Sequence, residues 1–252
     1  VLPNRDGGFA MKLALAQTRA VVGDVDANVR NHLRLIGIAV AAGAHAVVFP
    51  ELSLAGYEPK LCGELALDLG DARLHVFQRA SDSRAAIVAV GAPLRTSGKP
   101  QIGLVLFQPH TARRAYAKQH LHADEVPFFA PGPPTPGVLD TAPKLGLAIC
   151  YELSVEAHAE ATFRAGARAY VASVAKTSKG VAAAHARLAA IAARFGAQAL
   201  MVNCIGDCDG ATCTGGSAFW NARGDRVAVL GEAQQGVLLC DLATGQATVL
   251  PA

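Results

Sequence analysis

Short, nearly all-apolar runs alternate along the chain with longer stretches whose apolar positions recur every three to four residues. The first kind predicts buried strands and the second predicts helices with one packed face. "KLALAQT" (12–18) reads as the opening strand. Asp26 is an N-cap candidate for a helix over about 27–42, with Val29, Leu33, Ile36 and Val40 on one face. "AVVFP" (46–50) is a β-branched run stopped by Pro50. A loop punctuated by Gly56, Pro59 and Gly63 follows, then a helix over about 71–84. "AAIVAVGAP" (85–93) and "IGLVLFQP" (102–109) form two strands around the turn "TSGKP", and "RRAYAKQHL" supplies another.

"FFAPGPPTPG" (128–137) admits neither helix nor inner strand. The alternation then resumes. "KLGLAIC" is a strand, a helix over about 154–165 ends at Gly166, and "AYVASVA" is a strand. An Ala-rich helix over about 181–195 leads into the strand "ALMVNCI". "SAFWNARGDRVAVL" is a hairpin turning at Arg223-Gly224-Asp225, and "GVLLCDL" is the last strand. Blocks 12–93 and 144–204 therefore share one strand–helix–strand rhythm, with hairpins added between and after them. Many strands and few helices predict an α/β fold of two sheets packed face to face, helices outside. Residues 11–252 read as one domain. Residues 1–10 read as a leader or tag-like extension, because "MKLALAQT" already begins the first strand.

Composition narrows the function. The chain has 252 residues, 52% of them hydrophobic and 17% charged, enough for a large core. Its 23 basic and 20 acidic side chains are interspersed and sum to +3. That pattern offers no basic stripe for nucleic acid and no charge run for a membrane surface, so a small-molecule ligand is expected. The apolar stretch 35–50 is too short and too broken to span a bilayer. Six cysteines in a chain with ample core and no export signal point to reduced thiols and a cytoplasmic setting.

Three strand ends carry groups with chemistry. Cys150 closes "KLGLAIC"; alone it reads as a core residue, because free cysteine is among the most buried residue types. A nucleophilic thiol needs a base or cation beside it, and none of the eight histidines sits in a catalytic-cysteine motif. Glu51 follows a buried strand directly, where desolvation raises a carboxylate toward the range of a useful base. Lys118 ends another strand just before the Pro/Gly loop. Carboxylate, ammonium and thiol at neighbouring strand ends would make an acyl-transfer site.

These segments, in this order, resemble the signatures of the nitrilase (carbon–nitrogen hydrolase) superfamily. "FPELSLAGYEP" is similar to its glutamate motif, "YAKQHL" to its lysine motif and "LAICYEL" to its cysteine motif. "EVPFFAPG", "GARAYVASVA", "NCIG" and "GGSAFWNARG" match the surroundings, so the likeness covers about residues 11–241. The resemblance implies a four-layer α-β-β-α sandwich, assembled as a homodimer or larger homo-oligomer, with no metal or organic cofactor. It implies hydrolysis of a small amide or N-carbamoyl compound through a thioester. Glu51 is then general base, Cys150 nucleophile and Lys118 the cation at the oxyanion, with the Tyr151 backbone N–H as second donor. Glu125 supports Lys118 or the base. Tyr57, Glu152 and Lys176 are candidate substrate-binding residues.

Departures from the family's commoner sequences at "SVAKTSKG" (173–180) and "AARFGAQ" (192–198) fall at positions that in the family usually bear on the pocket wall and dimer contact, and leave the substrate open. Tyr151, in place of the Trp frequent in true nitrilases, favours amides over nitriles. Nitrile hydrolysis on the same triad, or a catalytically silent binding protein on this scaffold, are the alternatives. "NCIGDCDGATC" (203–213) carries three cysteines, but its spacing matches no common zinc pattern. Cysteines of a loop at the site mouth are the expected reading there.

Overall fold

The computed structural model describes residues 11–252; the leader-like reading of residues 1–10 falls outside them. Strands β1 (Lys12–Gln17), β2 (Ala46–Val48) and β3 (Ile87–Leu94) lie side by side and parallel. Parallel neighbours need crossovers, supplied by helix α1 (Val25–Ala41) before β2 and α2 (His75–Arg84) before β3. Strands β4 (Gln101–Phe107) and β5 (Arg114–Ala117) continue the sheet antiparallel.

The second half repeats the scheme. After β6 (Val138–Leu139), strands β7 (Leu145–Ile149), β8 (Ala169–Val174) and β9 (Gln198–Asn203) run parallel. Helices α3 (Glu156–Arg164) and α4 (Ser178–Phe195) cross between them. A small hairpin follows, β10 (Ile205–Cys208) with β11 (Ala211–Thr214), then β12 (Ala218–Trp220) and β13 (Arg226–Val229). Strands β14 (Gly236–Asp241) and β15 (Gln246–Pro251) return to pair beside β1. The result is a seven-stranded sheet, β15-β14-β1-β2-β3-β4-β5, and a six-stranded sheet, β13-β12-β9-β8-β7-β6.

Side-chain alternation along the strands makes the layers. Leu13, Leu15 and Val48 of one sheet and Leu147, Ile149, Val171 and Val202 of the other fill one buried cluster between the sheets. The opposite face of the first sheet, with Ala14, Val47, Val88 and Val90, packs under α1 and α2. Ala148, Tyr170, Ala172 and Met201 of the second sheet pack under α3 and α4. Each fully buried Leu, Ile or Val contributes roughly 1.5–3 kcal/mol. The architecture is the α-β-β-α sandwich.

Some boundaries differ from the sequence expectation. Asp24, not Asp26, caps α1, its carboxylate accepting from Ala27 N. The helix expected over 154–165 begins earlier, as a tight 3-10 turn over Cys150–Ser154, before α3 proper. The hairpin β10–β11 and the strand β15 were not expected. β15 is an edge strand whose residues are mostly exposed or half-exposed, so it lacks the apolar signal. β10–β11 is fixed instead by docking, with bridges from Arg19 to Ile205 and from Thr177 to Cys213.

This topology gathers particular strand ends. β2 and β3 are parallel, and two reversals bring β5 back to the direction of β3. The residues after β2 and after β5 therefore emerge at one edge of the sheet. Ser173 of β8 donates its hydroxyl to Phe49 O at 2.8 Å, tying the second sheet to the segment that leads into Glu51.

Candidate active site

Glu51 sits in a tight turn that begins where Pro50, lacking an N–H, interrupts the strand. Ser53 N bonds Pro50 O and Gly56 N bonds Leu52 O, with Leu52 held at φ 51°. Helix α1 braces the turn from outside. Asn28 Nδ2 donates to Leu54 O at 3.0 Å, and His32 Nε2 accepts from Ser53 Oγ at 2.9 Å. That direction is required because His32 Nδ1 lies 2.7 Å from the Asn28 carbonyl and must carry the proton. Burial pushes His32 down to about 4, so the ring is neutral near pH 7.

From below, the turn rests on β3 at Gly91. A Cβ at that position would lie 2.1 Å from Pro50 O and 2.6 Å from Leu52 N, so only glycine lets the backbones approach. Gly91→Ala is expected to lower stability by about 1–3 kcal/mol through forced backbone movement. Thermal unfolding reads this as a fall of several degrees, and an unchanged midpoint would show that the turn yields freely.

Lys118 follows β5 and is itself held in the sheet: its N–H bonds Ile102 O and its carbonyl accepts from Gly132 N. The side chain is fully buried, with Nζ 2.7 Å from Glu51 Oε1 and 2.6 Å from Glu125 Oε1. Glu125 Oε1 also accepts the Tyr57 hydroxyl at 2.9 Å, and Oε2 accepts His122 N at 2.7 Å. Burial opposes the lysine's charge, but the surrounding anionic groups outweigh it and hold its pKa above the ordinary value. The ammonium is thus firmly protonated.

Glu51 is pushed up to about 7. Burial is the main cause, Lys118 opposes it and Glu125 adds to it. Its Oε2 is buried without a hydrogen-bond partner, while Oε1 is occupied by Lys118. An unpartnered buried carboxylate oxygen is costly, and it is the atom free to take a proton. The Lys118 ammonium, and after it the neighbouring Cys150 thiol, favour the ionised carboxylate.

Cys150 stands at the junction of β7 and the 3-10 turn, with φ 45°. A non-glycine residue in that region costs on the order of 1–3 kcal/mol and persists only where its surroundings over-determine it. The thiol is partly buried and lies 4.0 Å from Ala175 O. Burial and the Glu51 charge push it up to about 11, against the lowering influence of Lys176 and then Lys118. At neutral pH it is therefore a thiol rather than a thiolate, and Glu51 is the anionic group that acts on it.

The remaining expectations divide. Tyr57 is half-buried, but its hydroxyl is committed to Glu125. Lys176 is half-buried one residue beyond Ala175, with its backbone clasped by the Asn203 side chain (N to Oδ1 2.8 Å, O from Nδ2 3.0 Å). Tyr151 is the second residue of the 3-10 turn that starts at Cys150, where the first N–H groups have no partner within the helix. Glu152, expected at the pocket, is engaged in the protein interior instead. It is fully buried, and its oxygens accept from Gln119 N, Ile149 N and the Tyr116 hydroxyl. A groove lined by Gln119, His120, Leu121, Val126 and Tyr151 opens beside these segments.

Sequence reasoning missed Asn28, His32, Gly91 and Ser173: Asn28, Gly91 and Ser173 brace the site through its backbone, and His32 does so through the Ser53 hydroxyl. The partners lie 21 residues apart for His32–Ser53 and 124 apart for Ser173–Phe49, separations that no local pattern encodes. Cys204, Cys208 and Cys213 form a buried cluster under Tyr57 and Ala175, with all three thiols free. The neighbouring Cys204 and Cys208 thiols hold Cys213 below its usual range. Among the described residues, no group of three His, Cys, Asp or Glu side chains is arranged to hold a metal ion.

A buried carboxylate, a doubly paired ammonium and a thiol on a strained turn, set on an α-β-β-α sandwich, define a thiol-dependent hydrolase class of site. The chain belongs to the carbon-nitrogen hydrolase family, whose profile matches residues 12–251. A crystal structure of an amidase from Nesterenkonia sp. superposes with a TM-score of 0.85 at 25% identity, covering 96% of this chain and 93% of that one. A mutant of the Nesterenkonia sp. AN1 amidase with the acetamide moiety of fluoroacetamide added covalently at its active-site cysteine gives 0.85 at 24% identity, over the same shares. An (R)-stereoselective amidase from Pseudomonas sp is 29% identical over 163 residues, 64% of this chain. The match spans 59% of that relative's length.

Proposed function

We propose that the protein hydrolyses the C–N bond of a small amide or N-carbamoyl compound, with Glu51, Lys118 and Cys150 as its catalytic groups. The observation that carries this reading is the free, buried Oε2 of Glu51 beside a thiol, with Oε1 fixed on Lys118. Glu51 takes the Cys150 proton as sulfur attacks the substrate carbonyl carbon. Negative charge develops on the carbonyl oxygen. Lys118 has three N–H donors, two of which are on Glu51 and Glu125, so the third is available to that oxygen, with the Tyr151 N–H as its companion. One such donor typically lowers a barrier by about 3 kcal/mol.

The intermediate collapses as Glu51 returns its proton to the leaving nitrogen, and ammonia or an amine departs. Water then gives a proton to Glu51 and attacks the thioester carbonyl. The carboxylic acid leaves as Cys150 regains the proton from Glu51. Lys176 adds a second cation near the thiol, which supports an acidic group on the substrate. A cytoplasmic setting, from the cysteine usage, and homo-oligomeric assembly, from the family resemblance, belong to the same reading. Among the described residues no helix is long and apolar enough to cross a membrane.

The test is ammonia release across neutral amides, anionic amides, N-carbamoyl amino acids and nitriles. Turnover confined to nitriles, or none at all, would overturn the reading. The base also has a pH signature. Only ionised Glu51 can accept the thiol proton, so kcat/KM rises with pH through an acid limb near 7. Glu125 raises the Glu51 pKa, so Glu125→Gln is expected to move that limb to lower pH. A limb that stays in place, or moves up, would separate it from Glu51.

A further inference from the structure

Glu152 is a buried acid that the proposed chemistry does not use. It stands on the turn carrying Cys150, which belongs to the six-stranded sheet, yet it reaches the end of β5 in the seven-stranded sheet. One oxygen, Oε1, accepts from Gln119 N at 2.5 Å, the residue directly after Lys118. The other, Oε2, accepts from Ile149 N at 2.7 Å, directly before Cys150, and from the Tyr116 hydroxyl at 2.8 Å, two residues before Lys118. We propose that Glu152 is a positioning residue: its carboxylate clamps the nucleophile turn to the Lys118 strand end and so sets the spacing between Cys150 and the Lys118–Glu51 pair. This rests on the acyl-transfer reading of the site.

The clamp is built on both sides. Tyr116 spends its one proton on Glu152, so His158 Nε2, 2.8 Å away, must donate to the Tyr116 oxygen, as Gln119 Nε2 does at 3.1 Å. His158 Nδ1 then accepts from the Tyr170 hydroxyl at 3.0 Å. The chain of donors runs from β8 through α3 to β5 and ends on the carboxylate. Burial pushes Glu152 up to about 7, and its bonds to Ile149 N, Gln119 N and Tyr116 oppose that rise. The Ile149 bond is also one of the constraints that keep Cys150 in its left-handed conformation, since it fixes the residue immediately before it. Geometry of this kind matters for rate because a misplacement of about 1 Å can cost on the order of a hundredfold.

The test compares Glu152→Gln and Glu152→Asp with wild type on a substrate from the amide panel. Rates are normalised to the acyl-adduct sites counted by intact mass, with thermal unfolding measured in parallel. Gln keeps the shape but presents an NH2 to one of the two backbone donors. Asp keeps the charge but cannot span both. Each is expected to lose about tenfold or more in kcat per competent site, with KM within about twofold. Wild-type kcat per site in Glu152→Gln, or recovery in Glu152→Asp, would overturn the proposal, even if the melting temperature falls. If Glu152→Gln does not fold, Tyr116→Phe, which leaves both backbone bonds in place, is read the same way. A smaller loss in kcat at constant KM supports the clamp, and wild-type kcat counts against it. A Cys150→Ala protein run alongside distinguishes the two levels: if it retains turnover, the thioester reading itself fails.

Discussion

Replacing Cys150 by Ala is expected to remove at least about 10⁴-fold of kcat on any amide that the wild-type protein hydrolyses, and the acyl adduct with it. The size follows from the loss of the attacking atom: without the thiol no thioester forms, and the oxyanion donors alone leave a small residue of catalysis. Cys150→Ser is expected to be nearly as inactive. Its hydroxyl is a poorer nucleophile than sulfur and is harder to deprotonate, and Glu51, pushed up to about 7, is no stronger a base in that variant. Intact-mass measurement after brief mixing with substrate should show the acyl group on wild type alone. An adduct that maps to Cys204, Cys208 or Cys213, or a Cys150→Ala protein at wild-type rate, would sink the assignment of the nucleophile.

Lys118→Met is expected to damage stability and rate together, by separate routes. The lysine is the cation between two buried carboxylates, and both oxygens that it touches lie within 2.7 Å of Nζ. Removing it leaves Glu51 and Glu125 facing each other without compensation, a loss of about 3–5 kcal/mol in denaturant unfolding. The rate falls by about 10²–10³ through the lost oxyanion donor. Lys118 also lowers the Glu51 pKa, so any residual activity should show its acid limb above the wild-type position. Combining Lys118→Met with Glu125→Gln removes one of the repelling charges. Stability should return in part and the rate should not. Recovery of rate in the double variant would mean that Lys118 serves only to neutralise its neighbours.

The motifs around Glu51, Lys118 and Cys150 were visible in the sequence because each pairs an apolar strand with one chemically capable residue at its end. That pattern is local, as is the Pro/Gly loop after Lys118. Glu125 was likewise legible, seven residues beyond its partner. The contacts of Glu152 were not. Its place two residues after Cys150 suggested a pocket, but its carboxylate turns inward to Gln119, 33 residues away in the chain. Nothing near Glu152 in sequence announces that a backbone N–H from the other sheet will meet it.

By itself, then, the sequence determined the layers and the chemical groups: strand and helix periods follow from side-chain polarity over a few residues, and so does the character of a residue at a strand end. Tertiary structure alone decided which oxygen of Glu51 is free, that Gly91 must lack a side chain, that Ser173 ties one sheet to the other, and that Glu152 spans them. The reason is distance. Those properties depend on hydrogen bonds and close approaches between segments remote in the chain, and they come into being only when the two sheets pack.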